Sequence, residues 1–270
     1  MNPKFYSSHN EMQTNDARCL LKEMADTFHW TDCERILDIG SGPGDVTYNV
    51  LRPFVAKSSV VVGSDVSEES VKFANAHYSS DDLIFKKLDI ENEYIWDNYW
   101  KKESFDKIFS FYCLHWIPNL RQATENIYNL LKPGGDILLL MLAGNPVYLL
   151  FKRLSLLPKW FIYMKDVDNL KSPLVTSTNV AQDFRKILEN AQFTDISVVN
   201  KQCKFTYPSG DSMLRAIQAV TPYINNIPSN LHSEFLRDLQ NYIRKSRNTV
   251  VKEDGSWEAQ YNLIIAKASK

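Results

Sequence analysis

The chain is poor in cysteine, has no excess of charge and lacks a long apolar run. Each shortage removes a class of function. Four cysteines (Cys19, Cys33, Cys113, Cys203) are scattered through 270 residues with no Cys-x-x-Cys pair. They read as reduced thiols of a cytoplasmic protein, not as a disulfide frame or a zinc site, and no metal is expected. The net charge of −1 provides no global field to hold nucleic acid. Met1 to Cys19 is polar and lacks an apolar targeting core. The greasiest region, Ile137 to Met164, is broken by Asn145, Pro146, Lys152, Arg153 and Pro158, so no transmembrane segment is expected. There is no internal repeat and no low-complexity tract.

What is present is organised around residues 35–45. The apolar run Arg35-Ile36-Leu37-Asp38-Ile39 ends in a glycine-rich turn, Gly40-Ser41-Gly42-Pro43-Gly44, and Val46 to Phe54 then reads as a helix. The pattern predicts a buried parallel strand, a tight loop and a helix N-terminus. A dinucleotide fingerprint requires a third glycine at position 45, where Asp45 stands, and the Gly-Lys-Ser/Thr of a P-loop is absent. An acid in the strand followed by alternating glycines suits a ligand without a pyrophosphate, such as S-adenosylmethionine (SAM).

The same strand–helix alternation continues down the chain. Further strands are predicted over Val60–Asp65, Leu83–Leu88, Phe105–Phe111 and Asp136–Leu142. Ser67 and Asn119 are placed to cap the intervening helices, and Met12 to Phe28 reads as a helix ahead of the first strand. Strands apolar on both sides, separated by helices, predict an α/β fold with a parallel sheet covered on both faces. Ligands of such sheets sit beyond the carboxyl ends of the strands. After Ala143 the pattern changes. A helix over Asn179–Ala191, a strand within Phe193–Phe205 and a final strand over Trp257–Ala268 are expected, with helical insertions near 146–172 and 207–250. The expected organisation is one domain, with a core at 30–145 and the insertions as a substrate cap.

Three acids fall at or near successive strand ends. Asp65 is spaced to accept hydrogen bonds from both hydroxyls of a ribose. Asp89 suits an exocyclic adenine amine, with Ile90 against the ring, and Asp38 is placed to order the glycine loop or meet an ammonium group.

The ordered set Asp38-Ile39-Gly40-Ser41-Gly42-Pro43-Gly44, Gly63-Ser64-Asp65-Val66-Ser67, Leu88-Asp89-Ile90 and Lys132-Pro133-Gly134-Gly135 resembles the motif series of class I SAM-dependent methyltransferases. That resemblance covers residues 30 to 145 and implies a Rossmann-like seven-stranded sheet whose last strand runs antiparallel. It implies SAM as cofactor, S-adenosylhomocysteine as product, and contacts from Asp38, Gly40, Ser41, Gly42, Asp65, Val66, Asp89, Ile90 and Ser110. A narrower resemblance lies in 67–77, in Phe109-Ser110-Phe111-Tyr112-Cys113-Leu114-His115-Trp116-Ile117, in 126–132 and in Asn145-Pro146-Val147-Tyr148. These segments are similar to insect juvenile hormone acid methyltransferases, which implies conversion of juvenile hormone acid or farnesoic acid to its methyl ester. By the same resemblance Gln13 and Trp116 match the glutamine and tryptophan that hold the carboxylate in related enzymes, with His115 beside them as a further catalytic candidate.

The residues suit that chemistry. A carboxylate is ionised at neutral pH and needs no general base, and no nucleophile–base constellation stands out. The insertions are rich in large apolar side chains, and Phe151, Trp160, Tyr163, Met164, Met213 and Tyr223 are the expected walls of a pocket for a long apolar acid. Lys152, Arg153, Lys159 and Lys165 leave attachment to a membrane surface or partner as a minor alternative. The other readings are a methyltransferase of a different small acid, a non-catalytic terpenoid-binding paralogue and a nucleic-acid methyltransferase. The last lacks support, because the charge is near neutral and no Asn/Asp-Pro-Pro-Tyr motif occurs. A homodimer stays open.

Overall fold

Strands that are apolar on both sides need cover on both sides. In the computed structural model, which describes residues 2–28, 30–97 and 99–270, five such runs form a parallel sheet. They are β1 (Arg35–Ile39), β2 (Val60–Asp65), β3 (Leu83–Lys87), β4 (Phe105–Phe111) and β5 (Leu131–Leu142). The sheet continues through β6 (Thr194–Tyr207), a short β7 (Thr249–Val251) and β8 (Trp257–Ser269). The strand order is β3-β2-β1-β4-β5-β8-β6, and β8 is antiparallel to both β5 and β6. β7 pairs with β8 off that path, which makes eight strands where the sequence predicts seven. A three-residue strand carries too little alternation to be read as one.

The helices are α1 (Pro3–Ser7), α2 (Glu11–Met24), α3 (Glu68–Tyr78), α4 (Leu120–Leu130), α5 (Pro146–Ser155), α6 (Pro158–Phe161), α7 (Val180–Asn190), α8 (Gly210–Ala219) and α9 (His232–Arg244). On one face of the sheet Leu20 and Leu21 of α2, and Val71 and Ala74 of α3, bury Ile36, Val61, Phe109 and Leu138. On the other, Leu120 and Ile127 of α4, and Phe184 and Leu188 of α7, bury Leu37, Ile108, Leu139 and Ile264. Each Val, Leu, Ile or Phe side chain so covered contributes about 1.5–3 kcal/mol relative to exposure.

The local signals explain the helix ends. Ser67 Oγ accepts from Ser70 N at 3.3 Å, and Asn119 Oδ1 accepts from Gln122 N at 3.3 Å. The helix expected over Val46–Phe54 is shorter. It runs through 45–51, and its Thr47–Leu51 turn is a π-turn, with Arg52 N donating to Thr47 O at 2.7 Å. Pro53 follows at once and has no N–H to extend the ladder.

The two late insertions pack on each other. Phe151, Leu154, Trp160 and Met164 meet Met213, Tyr223, Phe235 and Leu239 in a third apolar cluster above the sheet. No helix among the described residues is long and apolar enough to cross a membrane.

Candidate functional site

The sheet order reverses between β1 and β4, and the crevice this leaves lies at the carboxyl ends of the strands. A cavity of about 500 Å³ occupies it. The floor comes from the ends of β1 to β4, one side from α1 and α2, and the roof from the cap.

The glycine loop sits on the floor. Gly40 has φ +74°, and a Cβ there would lie 2.3 Å from Cys113 Cβ. Gly44 has φ +88°, and its Cβ would lie 2.7 Å from the Phe85 ring. Glycine is required at both positions for backbone angle and for space. The loop is held by Gly40 N and Ser41 N, which both donate to Ser64 O at 2.8 Å. Asp65 closes it from the next strand. One carboxylate oxygen accepts from Gly42 N at 2.9 Å and the other from Ser67 N at 2.8 Å, and each keeps acceptor capacity for a ligand. Burial nonetheless raises the Asp65 pKa, opposed by these two backbone donors.

Asp38 lies deeper, almost without solvent contact. Its Oδ2 accepts from Thr47 Oγ1 at 2.6 Å, while Oδ1 is buried with no partner. Desolvation raises its pKa to about 7, against the Thr47 hydrogen bond and with help from the Asp65 charge. Ser41 Oγ is likewise buried and unpartnered. A buried polar atom left so carries a cost that a bound ligand can remove. Val66, Asp89 and Ile90 complete this end. Asp45 is turned away to bind the N-terminal segment, and accepts from Asn10 Nδ2 at 2.7 Å.

Gln13, His115 and Trp116 come together on the cavity wall. Gln13 is buried and its Oε1 has no partner. The rings of His115 and Trp116 are 5.2 Å apart between centroids. Leu142 N donates to His115 Nδ1 at 3.4 Å, which leaves the ring proton on Nε2. Burial lowers the His115 pKa to about 3, so the ring is neutral at physiological pH. Asn145 Nδ2 donates to His115 O at 3.0 Å while Asn145 Oδ1 caps α5 through Tyr148 N, tying the site loop to the cap. α2, which carries Gln13, is fastened by Asp16. The hydroxyls of Tyr112 and Tyr261 both donate to Asp16 Oδ2, the second at 2.7 Å.

Of the cofactor residues expected from sequence, Asp38, Gly40, Ser41, Gly42, Asp65, Val66, Asp89 and Ile90 line the cavity. Ser110 does not, because it is fully buried below and its hydroxyl donates to Ile39 O at 2.9 Å. The expected substrate walls also need correction. Phe151, Trp160, Tyr163, Met164, Met213 and Tyr223 lie outside the cavity lining. All but the half-buried Tyr163, which packs against the same cluster, form the cap's own core, where the largest apolar side chains exclude most water. Trp160, for example, packs edge-on against Phe235 and donates its indole N–H to Asp238 at 2.9 Å. The apolar wall is instead Met12, Val147, Leu170, Ile217 and Val220, together with Tyr207. Tyr207 and the cavity-facing Tyr6 carry no sequence signal, and Tyr112 carries none beyond its place in the 109–117 segment. Each depends on a contact between distant segments, such as Tyr207 Oη with Met12 Sδ at 3.6 Å. No group of three or more His, Cys, Asp or Glu able to hold a metal occurs among the described residues.

Comparison with known proteins finds relatives over nearly the whole chain. A family model for the methyltransferase domain matches residues 31–192. The chain is 36% identical to a juvenile hormone acid O-methyltransferase of Drosophila melanogaster, over 98% of this chain and 91% of the relative. It is 34% identical to the enzyme of that name from Bombyx mori, over 100% of this chain and 97% of the relative. Among solved structures, a putative methyltransferase from Bacillus halodurans superposes with a TM-score of 0.59 at 19% identity, covering 93% of this chain and 98% of that one. At that identity the likeness is one of fold.

Proposed function

The chain belongs to the juvenile hormone acid O-methyltransferases, SAM-dependent enzymes built on the methyltransferase domain, and we propose that it esterifies the carboxylate of an isoprenoid acid, juvenile hormone acid or farnesoic acid. The observation that carries this reading is the division of one cavity into two chemistries. Its floor is acidic, and its buried polar atoms Asp38 Oδ1 and Ser41 Oγ have acceptor capacity that a polar ligand can use. Its roof is apolar, and Gln13, His115 and Trp116 between the two carry no charge.

The floor fits SAM. Asp65 is positioned by backbone donors to accept ribose hydroxyls, Asp89 and Ile90 to take the adenine, and Asp38 to face the cationic amino-acid end. When bound, SAM supplies an electrophilic methyl group on a sulfonium that is its own leaving group.

The chain's part is to hold the acceptor and exclude water. Gln13 and Trp116 present an amide and an indole N–H to the carboxylate. Neither carries a full charge, so neither quenches the nucleophile as an arginine would. His115 takes no proton, since burial has already made it a very weak base. It acts by position, setting the Trp116 turn through Leu142 and Asn145. Met12, Val147, Leu170, Ile217 and Val220 take the isoprenoid chain. The four free thiols, two of them exposed, support a cytoplasmic location.

The test is to incubate the protein with SAM and, separately, farnesoic acid, juvenile hormone acid and a short apolar acid. Methyl ester and S-adenosylhomocysteine are then sought by mass spectrometry. Ester from the isoprenoid acids and not the short acid is the expected result. SAM binding without ester from any of them would overturn the reading.

A further inference from the structure

The carboxylate site is assembled from distant parts of the chain. Gln13 comes from α2, and Trp116 from the turn that follows β4. Asp16 joins the two. It stands one turn past Gln13 on α2, half-buried, and its Oδ2 accepts two tyrosine hydroxyls. One is that of Tyr112, at the start of the Trp116 turn, and the other that of Tyr261 on β8, at 2.7 Å. Both tyrosines are buried, and neither hydroxyl has another hydrogen-bond partner among the described residues. A buried hydroxyl without an acceptor is costly, so the two tyrosines and Asp16 hold one another in place.

Tyr112 is held in an unfavourable backbone conformation. Its φ is +57°, in the left-handed region that a bulky side chain seldom adopts. The chain changes direction there as β4 ends, and Cys113 comes to lie against Gly40 while Trp116 reaches the cavity wall. Strain of this kind persists only where the surroundings over-determine it. At Tyr112 the backbone N donates to Leu140 O at 2.8 Å and the hydroxyl donates to Asp16. Tyr261 lies outside the cavity lining, and its hydroxyl ties Asp16 to the sheet.

We propose that Asp16 is the positioning residue of the carboxylate site. By accepting both hydroxyls it fixes α2 against the end of β4, and so sets the spacing between the Gln13 amide and the Trp116 indole. This role rests on the proposed esterification, in which those two groups hold the acceptor. Two donors can each meet one carboxylate oxygen only within a narrow range of distance and angle. A displacement of about 1 Å in a positioned group can cost a hundredfold in rate. The clamp leaves the SAM floor alone, because Asp38, Asp65 and the glycine loop are held by bonds among themselves and to Thr47, Ser64 and Ser67.

The experiment compares variants of the full chain. Asp16→Leu removes the acceptor at similar volume. Asp16→Asn keeps one oxygen able to accept both hydroxyls, and Tyr261→Phe removes one of the two bonds without altering the cavity lining. With SAM and acid saturating, ester formation in Asp16→Leu is expected to fall about tenfold to a hundredfold, with SAM affinity in calorimetry unchanged. Tyr261→Phe should show a smaller loss, and Asp16→Asn should recover most of the rate. In Gln13→Ala/Asp16→Leu the second substitution should add little to the first, since a pair lacking one donor has no spacing left to set. Hydrogen exchange, which needs no substrate, should be faster in Asp16→Leu at 13–17 and 112–116 and unchanged in α9. Circular dichroism checks folding, and if Asp16→Leu is unfolded, Tyr261→Phe alone and with Gln13→Ala gives the same comparisons of rate and exchange. Wild-type turnover in Asp16→Leu, Asp16→Asn as slow as Asp16→Leu, the full loss repeated in the Gln13→Ala background, or unchanged exchange in the two segments overturns the proposal. A wild type that forms no ester refutes the proposed reaction instead, and the exchange comparison then decides whether Asp16 joins the two segments.

Discussion

The two halves of the cavity are built by opposite rules. On the floor the glycine loop and Asp65 are held by backbone geometry. Gly40 has no room for a Cβ, and Asp65 is pinned by two backbone N–H groups. In the roof each residue is held by apolar packing, which asks for volume and little else. Gly40 and Gly44 of the floor therefore each have one acceptable identity, whereas a residue held by packing has several. On the proposed reading, the cofactor end is constrained by backbone geometry and the substrate end by volume.

The contrast is broken most severely at Gly40. Gly40→Ala places a methyl 2.3 Å from Cys113 Cβ at a φ of +74°. The expected loss of stability is about 3 kcal/mol or more in chemical denaturation, with SAM affinity lost as the loop moves. Unchanged stability would show that the floor is as tolerant as the roof.

Within the cap, core and wall should separate. Met213 is buried in the cap core and outside the cavity, whereas Ile217, one turn on along α8, lines it. Met213→Ala is expected to cost about 2–5 kcal/mol and leave the preference among acids as it was. Ile217→Ala should cost less and change the ratio of rates between long and short acids. Thermal unfolding and paired substrate assays read the two effects. If Met213→Ala alters the preference and Ile217→Ala does not, the assignment of core and wall is reversed.

Trp116→Phe keeps the ring and removes the N–H. Turnover should fall roughly tenfold to a hundredfold, the worth of a hydrogen bond to a charged group, with SAM affinity unchanged in calorimetry. Equal turnover would mean that Trp116 contributes shape alone.

The same contrast accounts for what could be read from sequence. The runs 35–39, 60–65 and 105–111 become β1, β2 and β4 with the expected ends, because apolar runs and turn residues are local signals. Asp38, Asp65 and Asp89 could be placed because strand ends converge in a parallel sheet. Ser110 could not be separated from them, since a serine at a strand end looks the same whether it faces a cavity or a carbonyl. In the roof, Met213 and Ile217 share one helix face, and hydropathy does not tell a cavity wall from a packed core. Tyr207 meets Met12 across 195 residues of chain, a proximity that exists only once the sheet and cap have formed. The three-residue β7 and the π-turn at Thr47–Leu51 fall below the length at which periodicity carries information.

The mildest perturbation is pH. Burial raises the Asp38 pKa to about 7. The free folded protein therefore holds a proton there that the unfolded chain, with an ordinary carboxylate, gives up near 3.8. In that window the folded state binds more protons, so this group's contribution to stability is full in acid and declines as pH rises toward about 7. A cationic ligand reverses the preference, because it favours the ionised carboxylate and expels the proton. SAM affinity should therefore rise with pH and level off above about 7, with proton release on binding below it. In Asp38→Asn the affinity should be lower and flat across the same range. Calorimetry in two buffers of different ionisation enthalpy measures both the affinity and the proton count. A wild-type affinity that is flat through neutrality, with no proton released, would mean that Asp38 meets no cation and serves only to brace Thr47 and the glycine loop.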